Sequence, residues 1–173
     1  MNVSGYVHRF GDNINTDYII AARYKTESLK IGELAKHTFA DIDSDFISRV
    51  QPGDIVVGGR NFGCGSSRQL AVEVLKHCGI SAVVAQSFGR IFFRNAINNG
   101  LLLVEADSSQ ILQGDHIEIN PKEGRILLTK SGIELETRPL PHFMQLLLDS
   151  GGLIPYLRKN KDFSTHAEKP TSD

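Results

Sequence analysis

The sequence at residues 55–85 is IVVGGRNFGCGSSRQLAVEVLKHCGISAVVA, and it decides the fold. Its first three residues are apolar and predict a short buried strand, and the glycine-rich stretch that follows predicts a sharp turn. From Leu70 onward, apolar side chains recur at helical spacing, and Gly79 stands where a glycine commonly ends a helix. Residues 80–85 are apolar and β-branched enough to predict a second buried strand.

The same pattern repeats directly downstream. Ser87 is a candidate N-cap for a second helix that ends at Gly100, and residues 101–104 predict a third buried strand. The apolar side chains on the inner face of this helix are Phe88, Ile91, Phe92 and Ala96. Strands that alternate with helices through short connections favour right-handed crossovers onto a parallel sheet.

The segments on either side of this core alternate between apolar and polar residues. Residues 3–9 predict a half-buried strand with Val3, Gly5 and Val7 on one face and Ser4, Tyr6 and His8 on the other. Residues 116–120, 125–129 and 133–137, separated by turn residues, predict an antiparallel meander. A short helix is predicted at 143–149. The predicted fold class is therefore mixed α/β, with a parallel βαβαβ core and a C-terminal antiparallel meander.

Length and charge limit the class of protein. A chain of 173 residues fits one domain, which we assign to residues 1–158, and we expect a disordered polar tail over residues 159–173. The formal net charge of −1 gives no reason to expect nucleic acid or an anionic membrane as a partner. No apolar run approaches a membrane span, and the first residues lack the apolar core of a secretory signal. We expect a cytoplasmic protein whose Cys64 and Cys78 stay reduced.

The glycine-rich loop before the first predicted helix is a candidate site. Its glycines permit a close approach to a ligand, and the first amides of a helix bind anions. Ser66, Ser67 and Arg68 add donors at the same place. The Walker pattern fails because no Lys-Ser/Thr follows the glycines, and the dinucleotide pattern fails because Arg68 replaces its third glycine. From spacing alone three interpretations stay open: an anion-holding loop, a structural N-cap, or a serine nucleophile or base.

Three stretches of the chain together resemble a known family. They are GDNINTD (residues 11–17), NFGCGSSR (61–68) and QSFGRIFFRNA (86–96). Their order and spacing are similar to those of the small subunits of 3-isopropylmalate dehydratase, homoaconitate hydratase and 2,3-dimethylmalate dehydratase. The resemblance extends from residue 2 to residue 158. It implies the detached swivel domain of the aconitase superfamily.

The resemblance implies a division of labour between two chains. A separate large subunit would carry a 4Fe–4S cluster, and this chain would hold no cofactor and no metal. Together they would interconvert 2-isopropylmalate and 3-isopropylmalate by dehydration and rehydration, a step of leucine biosynthesis. On this chain Ser66 would be the catalytic base, as an alkoxide. Ser67 and Arg68 would hold that alkoxide and the substrate carboxylate, Gly65 would belong to the same substrate-binding loop, and Asp17 would have a positioning role.

The same resemblance implies a segment that contacts the variable side chain of the substrate. It consists of Arg23, Tyr24, Lys25 and Thr26. An apolar loop suits an isopropyl group, whereas Lys25 and Arg23 favour a third carboxylate, as in homoaconitate. We predict isopropylmalate as the substrate, with homoaconitate, 2,3-dimethylmalate or citraconate as alternatives, and a non-catalytic anion-binding module as an alternative of another class. Gln69 and Leu70 depart from the family, in which Glu is usually followed by His or Gln.

Other reactive side chains are assigned structural roles. Cys64 is predicted to fill the loop, and Cys78 is predicted to lie in the core. Arg90 and Arg94 are expected to be solvated or to face a subunit, and the histidines show no metal-ligand spacing. The expected partners are the iron–sulfur large subunit and a small hydroxy acid with two or three carboxylates. Self-association of the isolated chain is left open.

Overall fold

The computed structural model of the chain describes residues 2–24, 30–66 and 69–160. Within these residues the strands are β1 (Val3–Arg9), β2 (Ile55–Val57), β3 (Ala82–Ala85), β4 (Leu102–Glu105), β5 (His116–Asn120), β6 (Arg125–Leu128) and β7 (Ile133–Glu136). The α-helices are α1 (Thr16–Ile19), α2 (Ile31–Ala35), α3 (Phe46–Arg49), α4 (Gln69–His77), α5 (Arg90–Asn98), α6 (His142–Asp149) and α7 (Leu153–Lys159). The strands form one mixed sheet in the order β4-β3-β2-β1-β5-β6-β7.

Strand β1 lies in the middle of the sheet and joins two halves of different kind. On one side it pairs in parallel with β2, with Val7 opposite Ile55, and β2, β3 and β4 continue in parallel. On the other side it pairs antiparallel with β5, with Gly5 opposite Ile117, and β6 and β7 continue the meander. The predicted α/β class, parallel core and antiparallel meander are therefore confirmed.

Alternation along the strands divides the core between the two faces of the sheet. Val56, Val83 and Leu103 pack on one face with α1, α2 and α4. Ile55 and Val84 pack on the other face with the meander, α6 and α7. Helix α5 contributes side chains to both clusters, so it is packed against both parts of the core.

Four details differ from the sequence prediction. The short helices α1 and α3 carry no long apolar stripe and were not predicted from periodicity. Ser87 does not cap α5, because Gly89 precedes that helix and the Ser87 hydroxyl accepts a hydrogen bond from the Asn61 amide at 2.8 Å. His8, predicted on the polar face, is buried and lies 2.7 Å from Asp54. Helix α7 (Leu153–Lys159) was not predicted as a helix, and residues 161–173 of the predicted tail lie outside the described residues.

Candidate active site

Three connecting segments meet at the carboxyl ends of β1, β2 and β3. We call residues 11–17, 59–66 and 86–89 together the carboxyl rim. Because parallel strands point the same way, the loops that follow them emerge at one edge of the sheet, where ligands of open α/β sheets bind. The strand pairing continues into the rim as two isolated parallel bridges, Asn15 with Cys64 and Phe62 with Phe88. The rim therefore brings together described residues from each of the three motifs singled out in the sequence.

Backbone hydrogen bonds tie the first rim segment to the second. The Gly63 amide donates to the Ile14 carbonyl at 2.7 Å, and the Thr16 amide donates to the Cys64 carbonyl at 3.0 Å. Asn61 adds a side-chain link, because its Nδ2 donates to Oδ1 of Asn13 at 3.0 Å. Asn13 and Asn61 both adopt positive φ, 54° and 59°, a conformation that asparagine tolerates better than most residues.

The third segment is bound to the second just as closely. The Phe62 amide donates to the Ser87 carbonyl at 2.9 Å, and the Gly89 amide donates to the Phe62 carbonyl at 2.8 Å. A Cβ on Gly89 would lie 2.6 Å from the Gly63 carbonyl oxygen, so only glycine permits this approach. Beneath the loop, Phe62 is fully buried, and its ring centroid lies 5.7 Å from that of Phe92.

An ion pair closes the outer end of the rim. Oδ1 of Asp12 accepts from the Arg60 backbone amide at 2.7 Å, and Oδ2 of Asp12 accepts from the Arg60 guanidinium at 3.2 Å. The Arg60 amide, with the guanidinium as the second cause, holds the pKa of the Asp12 carboxyl below its usual range. This contact fixes the first turn after β1 against the turn after β2.

The structure places the predicted base at the surface of the rim. Ser66 is exposed, and its carbonyl accepts a hydrogen bond from the buried Thr16 hydroxyl at 3.2 Å. Gly65, at φ +98°, turns the chain immediately before it. Asp17 follows Thr16 in the first turn of α1 and is exposed. The rim thus brings together Ser66, Gly65 and the Asp17 segment, while Ser67 and Arg68 lie outside the described residues.

The residues predicted to select the substrate are engaged within the chain where the structure describes them. The Arg23 guanidinium donates to both carboxylate oxygens of Asp41, and it holds the pKa of the Asp41 carboxyl below its usual range. The ring of Tyr24 stacks on His37 with 4.0 Å between centroids. Arg23 is therefore partly neutralised by its own fold. Lys25 and Thr26 lie outside the described residues.

The remaining candidates occupy ordinary positions. Both cysteines are free, and burial raises the pKa of the Cys78 thiol, whose sulfur lies 3.5 Å from the Thr38 hydroxyl. Arg90 and Arg94 are exposed on α5. Over residues 2–24, 30–66 and 69–160 no group of three or more metal-binding side chains occurs. In the same residues no helix has the length and apolar character that crossing a membrane requires.

Three residues of the rim had no predicted functional role. They are Asn13, Thr16 and Asn61, which lie within the motifs. Asn13 and Asn61 carry a signal in their type, since asparagine is enriched at positive φ. Thr16 carries none, because its contact with Ser66 joins residues 50 positions apart.

Comparison with known proteins gives the same group of proteins that the motifs indicated. The model of the aconitase C-terminal domain matches residues 12–109. The 3-isopropylmalate dehydratase small subunit of Thermodesulfovibrio yellowstonii is 48% identical over 161 residues, which cover 92% of this chain and 95% of that protein. The isopropylmalate/citramalate isomerase small subunit of Methanocaldococcus jannaschii is 48% identical over 159 residues, which cover 91% of this chain and 94% of that protein.

A solved structure agrees with the fold as well as with the sequence. The crystal structure of 3-isopropylmalate dehydratase from Methanocaldococcus jannaschii superposes with a TM-score of 0.88 at 43% identity, and the match covers 93% of this chain and 96% of that chain. Both chains therefore share the fold along nearly their whole length. From the domain model, the relatives and this structure together, the chain belongs to the aconitase C-terminal domain family, in the group of 3-isopropylmalate dehydratase small subunits.

Proposed function

We propose that the chain is the small subunit of a hydro-lyase that interconverts 2-isopropylmalate and 3-isopropylmalate by dehydration and rehydration, in leucine biosynthesis. The observation that carries this proposal is similarity at 44–48% identity, over more than nine-tenths of the chain, to proteins named as such small subunits. A small subunit acts together with a large subunit, so the active enzyme consists of both chains. The two free cysteines support a reducing compartment, and we propose the cytoplasm.

On this chain Ser66 is the proposed base. A carbon acid next to a carboxylate is a very weak acid, so the base that takes its proton must be strong, as a serine alkoxide is. An alkoxide forms only where donors stabilise its charge, and we assign this task to Ser67, Arg68 and the amides of the loop that Gly65 turns. The exposed position of Ser66 on a rim fixed by three segments supports this role.

The large subunit is the proposed site of the iron–sulfur cluster. When bound, such a cluster supplies a Lewis-acid iron for the hydroxyl and carboxylate of the substrate. The side chains described on this chain form no group suited to hold it. The contribution of this chain is to hold the base and the substrate carboxylate at a rim that faces its partner.

The pairing of Arg23 supports an apolar substrate side chain. A third carboxylate would need a cation without a competing partner. Arg23 already donates to both oxygens of Asp41, and Lys25, the other basic residue of this segment, lies outside the described residues. Isopropylmalate carries an isopropyl group in place of that carboxylate. Citramalate is a second candidate substrate, because the Methanocaldococcus jannaschii relative is named an isopropylmalate/citramalate isomerase small subunit.

Reconstitution tests the proposal. The isolated chain should show no dehydratase activity, and mixing it with an iron–sulfur large subunit from a relative should give turnover of isopropylmalate. In that complex Ser66→Ala should lower kcat by about 10²–10⁴-fold, the usual contribution of a general base. Ser131→Ala, which changes an exposed serine in the meander, is the matched control and should leave kcat unchanged.

Two results would contradict the proposal at different points. Turnover by the isolated chain would show that no second subunit is needed, and near-normal kcat of Ser66→Ala would show that this serine is not the catalytic base.

The substrate is tested in the same complex with isopropylmalate, citramalate, homocitrate and 2,3-dimethylmalate. A higher kcat/KM for homocitrate than for isopropylmalate would overturn the substrate assignment.

A further inference from the structure

Thr16 presents a buried hydroxyl to the residue that we propose as the base. Its side chain is 1% exposed, and its backbone amide is held on the Cys64 carbonyl at 3.0 Å. The hydroxyl donates to the Ser66 carbonyl at 3.2 Å and lies 3.5 Å from the Ser66 Oγ. One donor therefore faces two acceptors on the same residue.

The position of Thr16 at the start of α1 does not explain this contact. A threonine hydroxyl at a helix start serves as a cap when it stands at the N-cap position, immediately before the first helical residue. In this chain the capping is done by Asn15, whose side chain accepts from the Tyr18 amide at 2.9 Å. The Thr16 hydroxyl is thus directed away from its own helix and toward the rim.

The chemistry of a hydroxyl decides which acceptor it prefers. A hydroxyl has one proton, so it donates fully to one oxygen at a time. While Ser66 is neutral, the carbonyl is the nearer acceptor. When Ser66 loses its proton, the charged Oγ becomes the stronger acceptor, because hydrogen bonds to ionised groups are shorter and roughly twice as strong. Bonds at a catalytic group are often long in the free protein and shorten in the working complex.

We infer that Thr16 is a positioning residue that orients Ser66 and stabilises its alkoxide, by moving its hydrogen bond from the Ser66 carbonyl to the Ser66 Oγ. This inference rests on the proposed role of Ser66 as base. The Thr16 proton stays on Thr16 throughout. On dehydration the substrate proton passes to the Ser66 Oγ, and the Thr16 hydroxyl returns to the carbonyl; on rehydration Ser66 gives that proton to the neighbouring carbon and is an alkoxide again.

The test compares variants of Thr16 in the reconstituted complex. Thr16→Val keeps the shape and removes the hydroxyl, and it should lower kcat by about 10- to 100-fold, the usual range for a hydrogen bond to a charged group. KM should stay within about twofold, because the substrate carboxylate is bound by other groups. The rise of kcat with pH should move to higher pH, since an alkoxide with fewer donors forms less readily.

Three comparisons separate this role from a structural one. Thr16→Ser and Thr16→Ala lose the same methyl group, so higher kcat in the serine variant isolates the hydroxyl even if the valine variant folds poorly. Thr38→Val removes another hydroxyl that is 1% exposed but lies against Cys78, and it should change only the thermal midpoint. Circular dichroism of each isolated chain shows which variants are folded.

The outcomes are distinct for the two proposals. Normal kcat with an unmoved pH profile in Thr16→Val, or equal losses in Thr16→Ser and Thr16→Ala, would overturn the inference while leaving Ser66 as the base. Near-normal kcat in Ser66→Ala would overturn both. A collapse in Ser66→Ala together with a pH shift in Thr16→Val and recovery in Thr16→Ser supports both.

Discussion

Gly63 shows how much a single backbone position contributes to the rim. It adopts φ +73°, and a Cβ added there would lie 2.2 Å from the Phe92 ring. Two costs are therefore expected for Gly63→Ala. The left-handed backbone costs about 1–2 kcal/mol for a residue with a Cβ, and overpacking against Phe92 adds about 1–3 kcal/mol.

A second glycine separates these two costs. Gly132 has nearly the same φ, +72°, but an added Cβ there would meet no atom within 4 Å. Gly132→Ala should therefore show the backbone cost alone. Urea unfolding of both variants measures how much more stability Gly63→Ala loses than Gly132→Ala. Equal losses of unfolding free energy would mean that the Phe92 ring moves aside without a loss of stability.

The candidate site could be located from residue types alone, because Ser66 and the glycines around it lie within one short motif. The hydrogen bond from Thr16 could not be predicted, since it depends on how the segment after β1 crosses the segment after β2. The engagement of Arg23 by Asp41 was missed for a similar reason: an exposed arginine has no pattern that indicates its partner. Chemical type was predictable from sequence, and pairing between segments was not.

At the scale of elements, Asp12 joins the turns that follow β1 and β2. Its pKa is lowered from 3.8 in the folded chain, so the ionised carboxylate stabilises the fold above that pH, and this stabilisation is lost as the pH falls through the folded pKa. The difference in unfolding free energy between the native chain and Asp12→Asn should therefore be largest near neutral pH and shrink below about pH 4. Urea unfolding across this range measures it.

Arg60→Gln provides the control for this prediction. It removes the guanidinium but keeps the Arg60 backbone amide, which is the largest cause of the lowered pKa. Much of the pH dependence that Asp12 gives to the unfolding free energy should therefore persist in this variant. A gap between the native chain and Asp12→Asn that stays constant down to about pH 3 would contradict the assigned role of the carboxylate.

Helices and strands were predictable where the apolar pattern lies within one continuous segment of sequence. The βαβαβ core and the meander follow from apolar periods within each segment. The short helices α1 and α3 have four residues each, too few to show a period, and they form where the chain packs on the core. His8 lies on the predicted face, opposite Val7, but it is buried there against Phe46, because alternation alone does not anticipate a covering helix or a buried partner such as Asp54.

At the scale of the whole molecule, β1 connects the parallel and antiparallel halves. Its central position was not predictable, because Val7 pairs with Ile55 and Gly5 pairs with Ile117, far away in sequence. If β1 leaves the sheet, β2 of the parallel half and β5 of the antiparallel half each lose a hydrogen-bonded neighbour. We therefore expect the two halves to unfold together, in one cooperative transition.

Hydrogen exchange under increasing denaturant checks this expectation. Amides of β1, β2 and β5 should share one opening free energy, and those of the edge strands β4 and β7 should be equal or lower. If the β5–β7 meander opened at clearly lower denaturant than β2, the two halves would be separate cooperative units. Val7→Ala, at a residue 1% exposed in β1, should lower the protection of both halves together.

The two isolated bridges of the rim also restrict how this enzyme group can diversify. Asn15 forms a backbone bridge with Cys64, and Phe62 forms one with Phe88. Inserting or deleting one residue in any rim segment would therefore shift its register against the neighbouring segment. The meander turns at residues 121–124 and 130–132 carry no such match to the rim and can change length independently. New substrate preferences in this framework should therefore arise by exchange of side chains, with loop lengths at the carboxyl rim held constant.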